Sequence, residues 1–117
     1  MAITSAVCNS FKTEVLKAVH NFTESANEFK LALYTSSATL NKSTTAYTSS
    51  NEVANGNGYT TKGIALTNVT PALSGDTAVC DFADVSWTSA SFTANGCLIF
   101  NDTASGDPAV CAIAFGS

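Results

Sequence analysis

Arginine is absent from this 117-residue chain, and lysine is sparse. The five cations are Lys12, Lys17, Lys30, Lys42 and Lys62, scattered without a patch. A nucleic-acid partner needs a clustered basic surface to neutralise phosphates, so that class is excluded. Charged residues of both signs make up only 12%, against roughly 25% in ordinary soluble domains. No apolar run approaches the length of a membrane-spanning helix. There is a single histidine, His20, so a triad that places an imidazole between a nucleophile and a carboxylate has one candidate. His20 is expected in the last turn of a helix, solvated or interacting with the helix dipole. The opening "MAITSAVCNSFK" has neither a basic start nor a continuous apolar stretch, so no secretory leader is expected.

Serine and threonine, about thirty together, fill the place of the missing charge. Hydrophobic residues still make up 45%, which separates the chain from disordered sequences. The net charge is −4. Charge keeps copies of a protein apart, and a neutral polar coat suits contact with other protein.

The length fits one domain, 1–117, with a helix at about 4–20 and β-rich chain over 28–116. In "TSAVCNSFKTEVLKAVH" the residues Val7, Phe11, Val15, Ala18 and Val19 recur at helical spacing, and Thr4 or Ser5 can cap the start. "EFKLALYT" alternates Phe29, Leu31 and Leu33, expected inward, with Lys30, Ala32 and Tyr34. Residues 36–58 form a long polar passage with one short extended piece near Ala46 to Thr48. "YTTKGIALTNV" reads as a strand with Gly63 at a bulge, and "TPALSGD" as a turn region. "TAVCDFADVSW" gives two short strands or one bent one. "SFTA", "GCLIFN" and "AVCAIAF" follow, the last two joined by a hairpin-like "DTASGDP". In the closing strand Cys111, Ile113 and Phe115 share one face and Val110, Ala112 and Ala114 the other. Both faces are apolar, so the strand is central or covered by a partner. The fold class is mainly β: an antiparallel β-sandwich or jelly-roll-like barrel with one N-terminal α-helix.

Chemistry is thinly represented. Cys8, Cys80, Cys97 and Cys111 mostly sit in apolar runs and are expected as reduced core thiols, a cross-strand bridge being the alternative. They lack metal-ligand spacing. Asp81 and Asp84 read as strand-end charges rather than a glycosidase pair. "NDTASGD" lacks the spacing of a calcium loop. No catalytic, cofactor or metal residue is assigned, and no enzyme activity is expected. Candidate protein-contact residues are Tyr34, Leu40, Tyr47, Val53, Val110 and Phe115.

The strings "MAITSAVCNSFKTEVLKAVHNF", "FKLALYTSSATLN", "TTAYTSSNEV", "GYTTKGIALTNVTP" and "DFADVSW" resemble a group of small virion structural proteins of tailed bacteriophages. The resemblance runs from residue 1 to about residue 115 and carries no catalytic motif. It implies a particle component assembled in the host cytoplasm, with the major capsid protein or other virion proteins as partners. A capsid decoration (cement) protein, acting as a homo-oligomer (dimer or trimer), is the role expected first. A tail, collar or fibre component, or a host-glycan-binding module, is the alternative.

Overall fold

A computed structural model of the chain describes residues 3–83 and 92–115. In chain order the elements are β1 (Ala6–Val7), α1 (Asn9–Leu16), β2 (Phe29–Tyr34), β3 (Ile64–Ala65), β4 (Asn68–Ser74), β5 (Thr77–Phe82), β6 (Gly96–Asn101) and β7 (Ala109–Ala114). Five strands form one antiparallel sheet in the order β1-β7-β6-β2-β3, and β4 and β5 form a separate two-stranded sheet. The fold is mainly β and antiparallel, and neither sheet closes into a barrel.

The period-two pattern of β2 sets its register on β6, with Leu31 opposite Ile99 and Leu33 opposite Cys97. β2 is hydrogen-bonded to β6 and β3 at its edges, and chain outside the sheet packs on both of its faces, so it is buried on both. Ala32 and Tyr34 are as deeply buried as Phe29 and Leu33, while Leu31 is half-buried. The expected one-sided strand is therefore two-sided. Against one face, Ala32, Tyr34, Leu98, Phe100 and Ala112 pack with Cys8, Ala38 and Leu40. On the other, Leu33 and Cys97 meet Val53 and Tyr59, and Phe29 meets Leu66 and Val110.

The expected β6–β7 hairpin is present, with a bulge between Ile99 and Phe100. Asn101 Oδ1 accepts from the Thr103 and Ala104 N–H groups and starts the turn. β7 lies second from the sheet edge, paired with β6 on one side and with the two-residue β1 on the other. Its Ala112 is buried, but Ile113 and Phe115 remain exposed.

The helix is shorter than its periodicity implies. Ala6 and Val7 pair with Ala112 and Cys111 as a strand, so non-local pairing overrides helical spacing there. The residue at the N-cap is Cys8, without a side-chain capping bond. Thr4 and Ser5 do not cap. The Thr4 N–H donates to the Leu40 carbonyl, and Ser5 Oγ accepts from the Ala114 N–H. At the other end, Ala18 takes φ +60°, which stops the helix.

Two further expectations shift. Much of "TPALSGD" is strand, since Pro71 to Ser74 belong to β4, and only Gly75 and Asp76 turn. Pro71 is tolerated because it falls in the bulge between Val69 and Ala72, where no ladder donor is needed. The strand read in "YTTKGIALTNV" divides into two-residue β3 and the start of β4. Residues 92–94 form no strand. Asp84, Trp87 and Ser91 lie outside the described residues.

Gly63 matters because the chain approaches the backbone of β2 there. It takes φ +82°, and a Cβ would overlap the Leu31 carbonyl. Gly63→Ala is expected to destabilise the fold by roughly 2 kcal/mol or more, read by urea unfolding. A change near zero would mean β3 is not held against β2.

Candidate interaction surface

The long passage 36–63 contains no strand until β3, yet it covers one face of the sheet and the edge of the other. Its organiser is Glu52. Its carboxylate accepts from Tyr47 Oη at 2.5 Å, from Tyr59 Oη, and from the Lys62 backbone N–H at 2.7 Å. Tyr59 Oη also accepts from the Leu33 N–H at 3.0 Å, which ties the carboxylate to β2. Tyr34 Oη donates to the Thr48 carbonyl at 2.6 Å. Burial, and then the neighbouring Glu52, pushes the Tyr47 and Tyr59 hydroxyls well above their ordinary range. They remain protonated donors, so this cluster holds structure and supplies no base.

An ion-pair chain adjoins it. The Lys62 ammonium lies 3.0 Å from Asp107 and 3.4 Å from Asp102, and 5.5 Å from the centre of the Tyr47 ring. Lys30 reaches Asp102 at 3.3 Å. Burial acts to raise the Asp102 carboxyl, but Lys30 and Lys62 outweigh it and hold it below the ordinary value. Asp102 and Asp107 thus serve lysines in the "NDTASGD" turn.

His20 departs most from expectation. Its side chain is wholly buried. The helix ends before it, and the chain beyond Ala18 turns His20 inward among Phe11, Phe22 and Phe29. The Asn101 amide is oriented by the two N–H groups its oxygen accepts, so its nitrogen donates to His20 Nδ1 at 3.1 Å. His20 Nε2 then carries the proton and donates to Glu14 at 2.8 Å. No nucleophile takes part in this network; it fastens α1 to the end of β6.

The six contact candidates separate clearly. Tyr34, Leu40, Val53 and Val110 are withdrawn into the core. Tyr47 is half-buried at the Glu52 cluster, and Phe115 is 48% exposed. A partner can reach Tyr47 and Phe115 on the folded chain but not the other four.

The cysteines are all free thiols. Cys8 and Cys97 are buried as expected, Cys111 is half-buried, and Cys80 is exposed on β5. Burial pushes Cys97 up to about 12 and Cys111 up to about 11, which leaves them protonated and unreactive.

A shallow cleft of about 340 Å³ is lined by Glu24, Asn27, Glu28, Leu66, Asn68 and Thr103, among others. Asn68 Nδ2 donates to the Thr23 and Asn27 carbonyls, and its Oδ1 is sealed from solvent. The cleft presents carboxylates and hydroxyls, and the Oδ1 of its lining residue Asn68 is buried without a hydrogen-bond partner. Among the described residues no three His, Cys, Asp or Glu side chains group to hold a metal, and no helix is long and apolar enough to cross a membrane.

The largest exposed apolar features lie elsewhere. β4 and β5 pack chiefly on each other and form an arm anchored at its base. The anchors are Asn68, the Thr70 hydroxyl that accepts from the Glu24 N–H, and Phe82 packed near Phe22 and Phe29. Beyond the base the arm is exposed. Strand alternation puts Leu73, Ala78 and Cys80 on one face and Val69, Ala72 and Val79 on the other. Leu73 is 75% exposed. Towards the two ends of the chain Val7, Val15, Leu16, Ile113 and Phe115 are exposed too, Leu16 at 87%.

No protein-family model, curated protein or solved structure matches this chain.

Two outcomes are expected from these clusters. Glu52→Ala leaves two tyrosine hydroxyls and an N–H without their acceptor and should cost about 2–4 kcal/mol, with Tyr59→Phe costing about 1 kcal/mol. Equal, negligible losses in chemical denaturation would contradict the organising role. Asp102→Asn should lower stability at neutral pH by about 1 kcal/mol. A depressed carboxyl contributes above its unfolded value and loses that contribution as pH falls through its folded value. The gap between wild type and Asp102→Asn should therefore be full at neutral pH and close on acidification below the ordinary value of 3.8. A gap that persists in acid would assign the effect to packing.

Proposed function

We propose that this chain is a structural protein of a tailed-bacteriophage particle, a capsid decoration protein that binds the outside of the shell and bridges capsid subunits. The single observation that carries this reading is the projecting β4–β5 arm, apolar on both faces and uncovered by the chain's own sheet. A two-stranded ribbon alone is marginal in water, so such an arm implies a protein surface to lie on. Low charge supports the same conclusion, because little electrostatic repulsion opposes close packing of subunits. The virion setting rests on the sequence resemblance. The protein acts by binding rather than catalysis, and the proposed partners are the major capsid protein and further copies of itself.

The β-sandwich expected from the sequence belongs to this proposal as well. The chain holds a five-stranded and a two-stranded sheet, and an arm from a neighbour laid on the exposed β1–β7 side of the larger sheet would supply part of a second layer. A tail, collar or fibre position is the second reading. The same arm favours it, since contacts between unlike surfaces generate rings.

Quantitative mass spectrometry of purified particles distinguishes these positions. Several hundred copies per particle is the expected result for decoration. A count matching one six- or twelve-membered ring would move the protein to the tail or collar. Absence from purified particles would overturn the virion reading altogether.

A further inference from the structure

We infer that the β4–β5 arm of one copy docks on the body of a second copy, over the surface formed by Val7, Val15, Leu16 and Ile113. The inference rests on the reading above that the protein works by assembly, and it names the two surfaces that meet.

Three observations converge. First, the arm presents apolar side chains in two directions, and among the described residues the body meets it at the base, around Asn68, Thr70 and Phe82. A seven-residue strand spans about 23 Å, so the tip at Leu73 stands well clear of those anchors. Second, the body carries a matching apolar surface. Val7 pairs with Cys111, and Ile113 follows two residues on along the same face of β7. Phe11 packs against the apolar clusters on both faces of the sheet, and α1 contacts β7, which sets the helix at the β7 side of the sheet. Val15 lies one turn beyond Phe11, next to Leu16.

Third, the charges are complementary. The arm, residues 68–82, carries Asp76 and Asp81 and no cation. The body surface is flanked by Lys12 and Lys17. Among the described residues, neither aspartate and neither lysine takes part in an ion pair. Glu14, the carboxylate on the same helix, is committed to His20. The arm thus brings carboxylates and aliphatic side chains to a surface of aliphatic side chains edged with ammonium groups. The two surfaces are different patches of one chain, so a reciprocal exchange between two copies closes as a two-fold dimer, and a head-to-tail contact closes as a ring.

The test uses two single substitutions at highly exposed positions. Leu73→Asp disables the arm and leaves the body; Leu16→Asp disables the body and leaves the arm. Sedimentation velocity across a concentration series should show association for wild type and monomer for either variant alone. An equimolar mixture of the two should recover a species of twice the monomer mass, because one intact arm meets one intact body. Thermal melting checks that both variants fold; if either does not, Asp76→Lys combined with Lys17→Asp takes its place. Each of those changes alone should weaken association and the pair should restore it. Wild type that stays monomeric throughout, or variants that associate as well as wild type, would overturn the inference. A monomeric wild type that is still abundant in particles would overturn self-docking and leave the virion reading standing. Absence from particles with intact self-association would do the reverse.

Discussion

One carboxylate closes the fold. The five-stranded sheet has apolar side chains on both faces, and a chain with so little regular structure outside it must cover them with loops. A loop gains no ladder of backbone bonds, so something else must fix its path. Glu52 does this by gathering Tyr47, Tyr59 and the Lys62 N–H around one group, while Tyr59 relays the connection to β2. Ala38, Leu40 and Val53 are then held on the sheet. The lysine and aspartate chain from Lys30 to Asp107 extends the same fastening to the β6–β7 turn. His20, between Asn101 and Glu14, performs the equivalent task for α1.

Local patterns in the sequence correspond closely to structure where pairing partners are near in the chain. The alternation in "EFKLALYT" and the hairpin between "GCLIFN" and "AVCAIAF" both appear as β2, β6 and β7. Long-range pairing explains the departures. Ala6 and Val7 have helical spacing with Phe11, yet they bond to a strand over a hundred residues away in sequence. His20 sits in a polar context that reads as surface, and its burial depends on Asn101, which nothing local announces. Two candidate contact residues of the polar passage, Leu40 and Val53, are buried for a related reason. They are apolar islands in a polar segment, and islands of that kind are the points at which a covering loop is pinned inward. Phe115 lies just past the end of β7 and is exposed.

The same chain leaves other apolar surface open. A monomer that packs Glu52 and His20 so thoroughly also extends an arm whose two faces both carry aliphatic side chains. Local pattern could not reveal this arm, because strand periodicity shows that a segment pairs and not what lies over it. The contrast between a closed core and an exposed ribbon is what supports the proposed assembly. It makes β4 and β5 the part of the molecule whose stability should depend most on neighbours.

Hydrogen exchange across β4 and β5 tests that dependence directly. In dilute, monomeric protein the amides of the arm beyond its base should exchange rapidly while β2 and β6 stay protected. In concentrated protein or in purified particles the arm should gain protection comparable to theirs. Full protection of the arm in a sample shown to be monomeric would contradict the account, because the ribbon would then be stable without a surface to lie on.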